Sequence, residues 1–299
     1  MNIRDIEAFV ALAETGSVNR AARRLNLTQP ATTRRVQNFE ASLGGAALLD
    51  RRAKPPVLTP AGRQALTQCR AVLKAVAELK ASSAGQSPAG DLRLGIALGL
   101  GDIVIGSPLD ELARKFPDVR LRVASNWTTR LLEELRAGAL DCVIGMLGEN
   151  AVLPPGIIAS LVGQEEIVVV APKSVGHKKG RPRLADLARE SWVLNPGGCG
   201  CRSALERALD RANAEIRIGA EIFGEQLQLS YIARSGGLGL VPRGQLENAP
   251  HRQKLQVISV ADFHLHMGVA MLHGAALGRL SPAVAFLQQR IAARIADYK

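Results

Sequence analysis

Short apolar stripes at helical spacing, separated by polar turns, fill the first forty-five residues of the chain. Ile6, Phe9, Val10 and Ala13 predict a first helix. Val18, Ala21, Ala22 and Leu25 predict a second, closed by a turn at Asn26-Leu27. Thr28 follows as an N-cap whose hydroxyl can satisfy an orphan amide, and Pro30 falls in the first turn, where its missing N–H costs nothing. In this third helix Val36, Phe39 and Leu43 are expected to face a core. Pro30, Thr33, Arg34 and Gln37 recur on roughly the opposite face. Together with Thr28, Gln29 and Thr32 they supply hydroxyls, amides and a guanidinium, the groups that read base edges in a major groove. A merely solvated helix face accounts for such a pattern equally well, so the flanking sequence has to decide.

Downstream, residues 48–62 predict a short β-ribbon with basic residues Arg51, Arg52 and Lys54, a Pro-Pro interruption and a closing Val-Leu pair. From Pro60 to about Lys80 an alanine-rich helix places Leu66, Cys69, Leu73 and Val76 at 3-4-3 spacing, a coiled-coil seam expected to hold a dimer. A helix packed on its own domain is the plainer alternative. A polar Ser/Gly/Pro stretch over 82–90 then separates the head from the rest.

From Asp91 the pattern changes to strand alternating with helix. Strands are expected at 92–98, 119–124 and 142–145, with helices between them. A second unit begins at 166–170 and continues through helix 184–188, strand 192–194, helix 203–212, strand 220–223 and helix 227–234. The chain returns in a strand at 267–272 and ends in a helix from Pro282 to Tyr298. This order predicts a largely parallel sheet covered on both faces.

The formal charge of +11 is unevenly spread. Residues 1–90 hold 13 Lys/Arg against 6 Asp/Glu, so the excess concentrates where phosphate contacts are expected. No apolar run is long enough for a bilayer and no signal-peptide core opens the chain, which makes a cytoplasmic protein without membrane contact the expectation. The four cysteines do not form a disulfide framework, and no His/Cys spacing indicates a metal or cofactor site. Gly99-Leu100-Gly101 after a strand is a fragment of a dinucleotide fingerprint, but Val104 stands where the third glycine belongs. The five histidines fall in no catalytic arrangement, and an enzyme is not expected.

The head is similar to the winged helix-turn-helix of LysR-type transcriptional regulators. The family's A-A-x-x-L, S/T-Q-P-A and L-E-x-x-L-G signals appear at Ala21–Leu25, Thr28–Ala31 and Phe39–Gly44. Its wing signature falls in register on Leu48, Leu49, Arg51, Lys54, Leu58, Thr59, Ala61 and Gly62, with Leu49 in place of Phe and Lys54 in place of Arg. Residues 139–145 and 235–242 resemble two further family segments, each offset by one residue. The resemblance implies an α/β protein: a winged helix-turn-helix (1–62), a dimerisation linker helix and hinge (63–90), and a two-lobed, Rossmann-like effector domain (91–299). The lobes are expected near 91–163 with 268–299, and at 164–267. It also implies double-stranded operator DNA, a small-molecule effector, a dimer or tetramer of the chain itself and, for an activator, RNA polymerase as partners.

Ligands of such sheets bind beyond the carboxyl ends of the strands. The expected lining residues are Leu98, Gly99, Asp102, Trp127, Thr128 and Thr129 from the first lobe, with Gly145. Asn195, Gly198, Cys199 and Phe223 come from the second, and the lining loops are expected at 97–102, 126–129, 145–146, 195–201 and 223–225. The first loop has no hydroxyl and carries Asp102, so a neutral or cationic effector is expected rather than a simple carboxylate. Cys199 and Cys201 lie before the next helix, where amide dipoles favour a thiolate. Peroxide-sensing relatives have a reactive cysteine in about this loop, and thiol sensing stands as an alternative.

Overall fold

A computed structural model describes residues 1–50, 52–53, 55–82, 87–174, 180–275 and 277–297. Contacts divide the chain into two units. One is residues 1–87 with two short returning segments (136–139, 276–279), and the other is the remainder from Pro88 onward.

In the first unit, α1 (Ile3–Thr15), α2 (Val18–Arg24) and α3 (Gln29–Ser42) pack around Phe9 and Phe39, whose ring centroids are 5.2 Å apart. Asn26 takes the left-handed conformation the turn demands (φ 52°), and the Thr28 hydroxyl accepts the Ala31 amide at 3.3 Å. Strands β1 (Leu49–Asp50) and β2 (Val57–Leu58) pair antiparallel as the wing. Glu40 anchors this ribbon to α3, its carboxylate accepting the Leu48 amide at 3.1 Å. Gly62 explains the end of the wing signature: a Cβ there would lie 2.0 Å from the Leu48 carbonyl oxygen, so only glycine lets the next helix, α4 (Pro60–Ser82), pass the ribbon.

Three expectations change here. Thr32 is wholly buried, and its hydroxyl donates to the Thr28 carbonyl, so it braces the helix start and does not face solvent. Leu43 ends the helix as its C-cap and is 41% exposed. On α4, Leu66 and Cys69 are buried in the head's own core and Leu73 packs partly against it, which removes the first half of the expected seam from any partner. Val72 and Leu79 are exposed instead, and Val76 is half-buried between them.

The second unit is built on one nine-stranded sheet. Its first lobe contains β3 (Gly90–Ala97), α5 (Gly101–Val104), α6 (Ser107–Lys115), β4 (Val119–Asn126), α7 (Thr128–Arg136) and β5 (Cys142–Leu147). Strand β3 pairs parallel with β4 and with β5. The chain crosses on β6 (Ile157–Pro172) into α8 (Leu184–Ala188), β7 (Ser191–Leu194), α9 (Gly200–Arg211), β8 (Arg217–Glu221), α10 (Glu225–Ser235), β9 (Leu238–Pro242), α11 (Arg243–Glu247) and β10 (Leu255–Ile258). It returns on β11 (Leu265–Gly274) and closes with α12 (Ser281–Asp297). Strands β7, β8 and β9 pair parallel.

Strands β6 and β11 pair antiparallel, with Leu265 opposite Ile167 at one end and Gly274 opposite Ile157 at the other, and this ladder carries both lobes. The sheet is therefore mixed where a largely parallel one was expected. The first half of β6 is apolar in sequence (Ile157-Ile158-Ala159-Ser160-Leu161-Val162) but carries no alternation matched to one buried face, Ile158 being 45% and Leu161 65% exposed, and its pairing with β11 is long-range. Among the described residues no helix is long and apolar enough to cross a membrane.

Candidate effector crevice and DNA-reading helix

The chemistry of the second unit gathers where α7, α9 and α10 begin. A crevice of about 890 Å³ opens there, lined by Leu98, Trp127, Thr128, Thr129, Gly198 and Cys199 among the expected residues. Asn195 also borders it, but its side chain is already engaged. Its oxygen accepts the Gly224 amide at 2.9 Å, and its nitrogen donates to Gln228 Oε1 at 3.2 Å. Gln228 in turn donates to the Val193 carbonyl. This buried chain ties the end of β7 to the start of α10, so Asn195 holds the wall in place instead of offering its full hydrogen-bonding capacity to a ligand. Thr128 is similarly half-used, its hydroxyl oxygen accepting the Met146 amide at 3.0 Å.

Four expected residues lie outside the crevice lining. Gly145 is packed: a Cβ there would sit 2.7 Å from Leu272 and 2.9 Å from Thr128. Gly99 and Asp102 border a separate cavity of about 360 Å³. Asp102 accepts from the Gln245 side chain at 3.1 Å and so belongs to that second cavity and not to the crevice lining. Phe223 is half-exposed, and its contribution is to brace Trp127 edge-on, the two ring centroids 5.2 Å apart. Gly198, at φ 99°, passes Trp127 so closely that a Cβ would lie 3.4 Å from the indole; the backbone conformation itself already favours glycine.

Glu225, the end of the expected lining loop 223–225, is the most distinctive wall residue, although nothing in the sequence assigned it a particular role. It is the first residue of α10 and only 7% exposed, and among the described residues no side chain hydrogen-bonds to it or pairs with it. Burial holds its carboxyl above the ordinary glutamate value, opposed only by its own backbone amide. Beyond its place on that loop, the only hint in the sequence was an acidic residue at a helix start, which ordinarily reads as a solvated partner of the helix dipole.

Helix α9 begins three residues earlier than expected, so Cys199 is its N-cap and Cys201 lies in its first turn. The Cys201 thiol donates to Cys199, which lowers Cys199 to about 7 despite burial; the amides of Arg202 and Cys201 add to the effect. Cys201 moves the opposite way and stays protonated.

In the first unit, Gln29, Pro30, Arg34 and Gln37 are exposed along α3, Thr33 is half-buried beside them, and Thr28 is exposed at the cap. Arg52 is exposed on the wing; Arg51 and Lys54 lie outside the described residues.

Comparison with known families fits both units. The family model for the bacterial regulatory helix-turn-helix protein, lysR family, matches residues 3–63. The LysR substrate binding domain matches residues 85–294, more than half of the chain. The chain belongs to the LysR family. It is a DNA-binding transcriptional regulator with an effector-binding domain, not an enzyme. The HTH-type transcriptional regulator TfdS of Cupriavidus pinatubonensis is 29% identical over 283 residues, covering 91% of this chain and 92% of TfdS. A hydrogen peroxide-inducible genes activator of Dickeya chrysanthemi is 36% identical over 203 residues, covering 67% of this chain and 65% of the activator. In fold, the chain is similar to a cysteine-to-aspartate variant of full-length OxyR from Pseudomonas aeruginosa, with a TM-score of 0.81, 22% identity and 98% of each chain covered. LysR regulators bind operator DNA and form oligomers.

The strut makes a testable distinction. Asn195→Ala leaves the Gly224 amide and the Gln228 carbonyl unpaired in a buried place, which should cost about 1–3 kcal/mol of stability. Denaturant unfolding of the full chain checks this. A variant as stable as the parent would show that Asn195 is free for a ligand after all.

Proposed function

We propose that this regulator senses an amine-bearing small molecule in the crevice, its cationic group held by Glu225 and the face of Trp127. The observation that carries this reading is the buried carboxyl of Glu225 without a side-chain partner among the described residues, in a crevice whose other lobe presents a braced indole. An isolated buried carboxylate is costly, and a cationic ligand relieves that cost while gaining cation–π attraction. Arg207 and Arg211 also border the crevice, but both are exposed and screened by water, so the buried group sets the preferred charge. Thr128, Thr129, Leu98 and the Gly198–Cys199 turn supply the remaining contacts.

The head reads one half-site through Gln29, Pro30, Thr33, Arg34 and Gln37, with Thr28 at the helix start and Arg51, Arg52 and Lys54 of the wing at phosphates or the minor groove. Residues 1–62, 63–90 and 91–299 act as reading head, linker and sensor. The apolar stripe of exposed Val72 and Leu79 with half-buried Val76 on α4 supports pairing with a second copy, and with it a pseudo-palindromic operator. The regulator works in the cytoplasm and, if it activates, through contact with RNA polymerase.

Two experiments test these roles. Thermal shifts of the full chain with primary and aromatic amines, set against their N-acetylated counterparts and against carboxylic acids, should single out amines. Glu225→Gln should lower the affinity of the amine so found by at least about tenfold, since a charge-assisted contact is lost. Stabilisation by carboxylic acids but not by amines would contradict the reading, as would a reporter response to peroxide that disappears in Cys199→Ser. For the head, Arg34→Ala should weaken operator binding by about 1–3 kcal/mol and relax base preference. Unchanged affinity and preference in a mobility-shift series would show that α3 is read on the wrong face.

A further inference from the structure

The same crevice has a second wall of different chemistry. Cys199 and Cys201 are both buried, both border the cavity, and stand two residues apart at the N-cap and in the first turn of α9. Two thioethers border the same cavity. The terminal methyl of Met267 lies 3.3 Å from where a Cβ on Gly200, between the two cysteines, would stand, and Met146 packs against the same apolar cluster. Two thiols and two thioethers thus border one cavity, and Met267 is the thioether that approaches the cysteine pair. Among the described residues there is no group of three or more His, Cys, Asp or Glu able to hold a metal ion. A tetrahedral zinc site, which needs four such ligands or three with a water, is therefore not provided. A monovalent d10 ion is satisfied by two or three soft donors, and thiolates with thioethers select copper(I) among the common metals.

We propose that Cys199 and Cys201, with Met267 as a third, weaker donor, form a site for a soft monovalent cation of the copper(I) class. The ion binds as copper(I) and remains so; no electron is transferred. Two Cu–thiolate bonds and one weaker Cu–thioether bond to Met267 form as the ion's bonds to the delivering chelator break. Cys201 releases its proton to solvent, as does any Cys199 still protonated, and no oxidation state changes. The ion then sits at the start of α9, beside the indole and across from Glu225, where its occupancy changes what the amine site can accept. The proposal does not depend on the amine reading, because it uses a different set of side chains and a different probe.

The test is a titration of the reduced full chain with copper(I) delivered from a chromogenic chelator, with silver(I) as a redox-inert companion. The expected result is one equivalent bound per chain, a sulfur-to-metal charge-transfer band in the ultraviolet, and sulfur-only coordination by X-ray absorption. Cys199→Ser and Cys201→Ser should each lower affinity at least a hundredfold, Met267→Leu less, and Cys142→Ser, which alters a buried thiol outside the crevice, not at all. Circular dichroism confirms that each variant is folded, and competition by zinc(II) at equal concentration should be negligible. Copper(I) binding that survives the Cys199→Ser, Cys201→Ser pair, or zinc(II) that displaces copper(I) stoichiometrically, would overturn the proposal. Amine binding that fails while copper(I) binding holds overturns only the amine reading, and the converse overturns only this one.

Discussion

The hydrogen bonds of one buried amide side chain place nearly all of the crevice's distinctive chemistry. Asn195 leaves the end of β7, accepts the Gly224 amide and donates to Gln228, which is itself fixed to the backbone of β7. The segment after Asn195 carries Gly198, Cys199 and Cys201; the segment after Gly224 begins with Glu225. Phe223, just before Gly224, braces Trp127. A strut between these two segments therefore fixes the spacing between the thiol wall and the carboxyl wall. Buried and hydrogen-bonded polar groups of this kind hold one arrangement because every alternative leaves a donor or acceptor unmet.

The strut acts within a frame set by the two crossing strands. The long antiparallel ladder of β6 and β11 is common to both lobes, and His266 on β11 stands opposite Glu166 on β6 within it. The chain passes between the lobes on these two strands, and small adjustments along their ladder can change the relation of the lobes, the usual way a ligand between lobes is converted into movement. Glu225 is held by the second lobe and Trp127 by the first, so a cation that engages both favours one setting of the lobes over others.

Much of this was legible in the sequence, and for identifiable reasons. The reading head is made of local signals: Thr28 as cap, Asn26 in the turn, Glu40 reaching the ribbon and Gly62 at the close approach each act within a few residues of their partners or at a fixed motif spacing. Helix 184–188 and strand 192–194 are short but bounded by clear polar breaks. What failed was long-range. Thr32 belongs to the same motif as its exposed neighbours, but its place on the helix turns it inward, where its hydroxyl donates to the Thr28 carbonyl. Leu66 and Cys69 have coiled-coil spacing, but their own head covers them, which spacing alone does not reveal. The expectation of a cationic ligand was drawn from Asp102, which belongs to another cavity. The residue that now supports it, Glu225, ends an expected lining loop, but only its burial, which strips its water, shows that it differs from an ordinary acidic residue at a helix start.

The account stands or falls on the state of that carboxyl. Carbon-13 NMR of the full chain with side-chain-labelled glutamate, assigned by Glu225→Gln, measures it directly. The account predicts that Glu225 titrates above the ordinary glutamate value in the free protein, and that its midpoint falls when an amine occupies the crevice, because the cation stabilises the charged form. A Glu225 that titrates at or below the ordinary value in the free protein, and does not respond to amines, would contradict it.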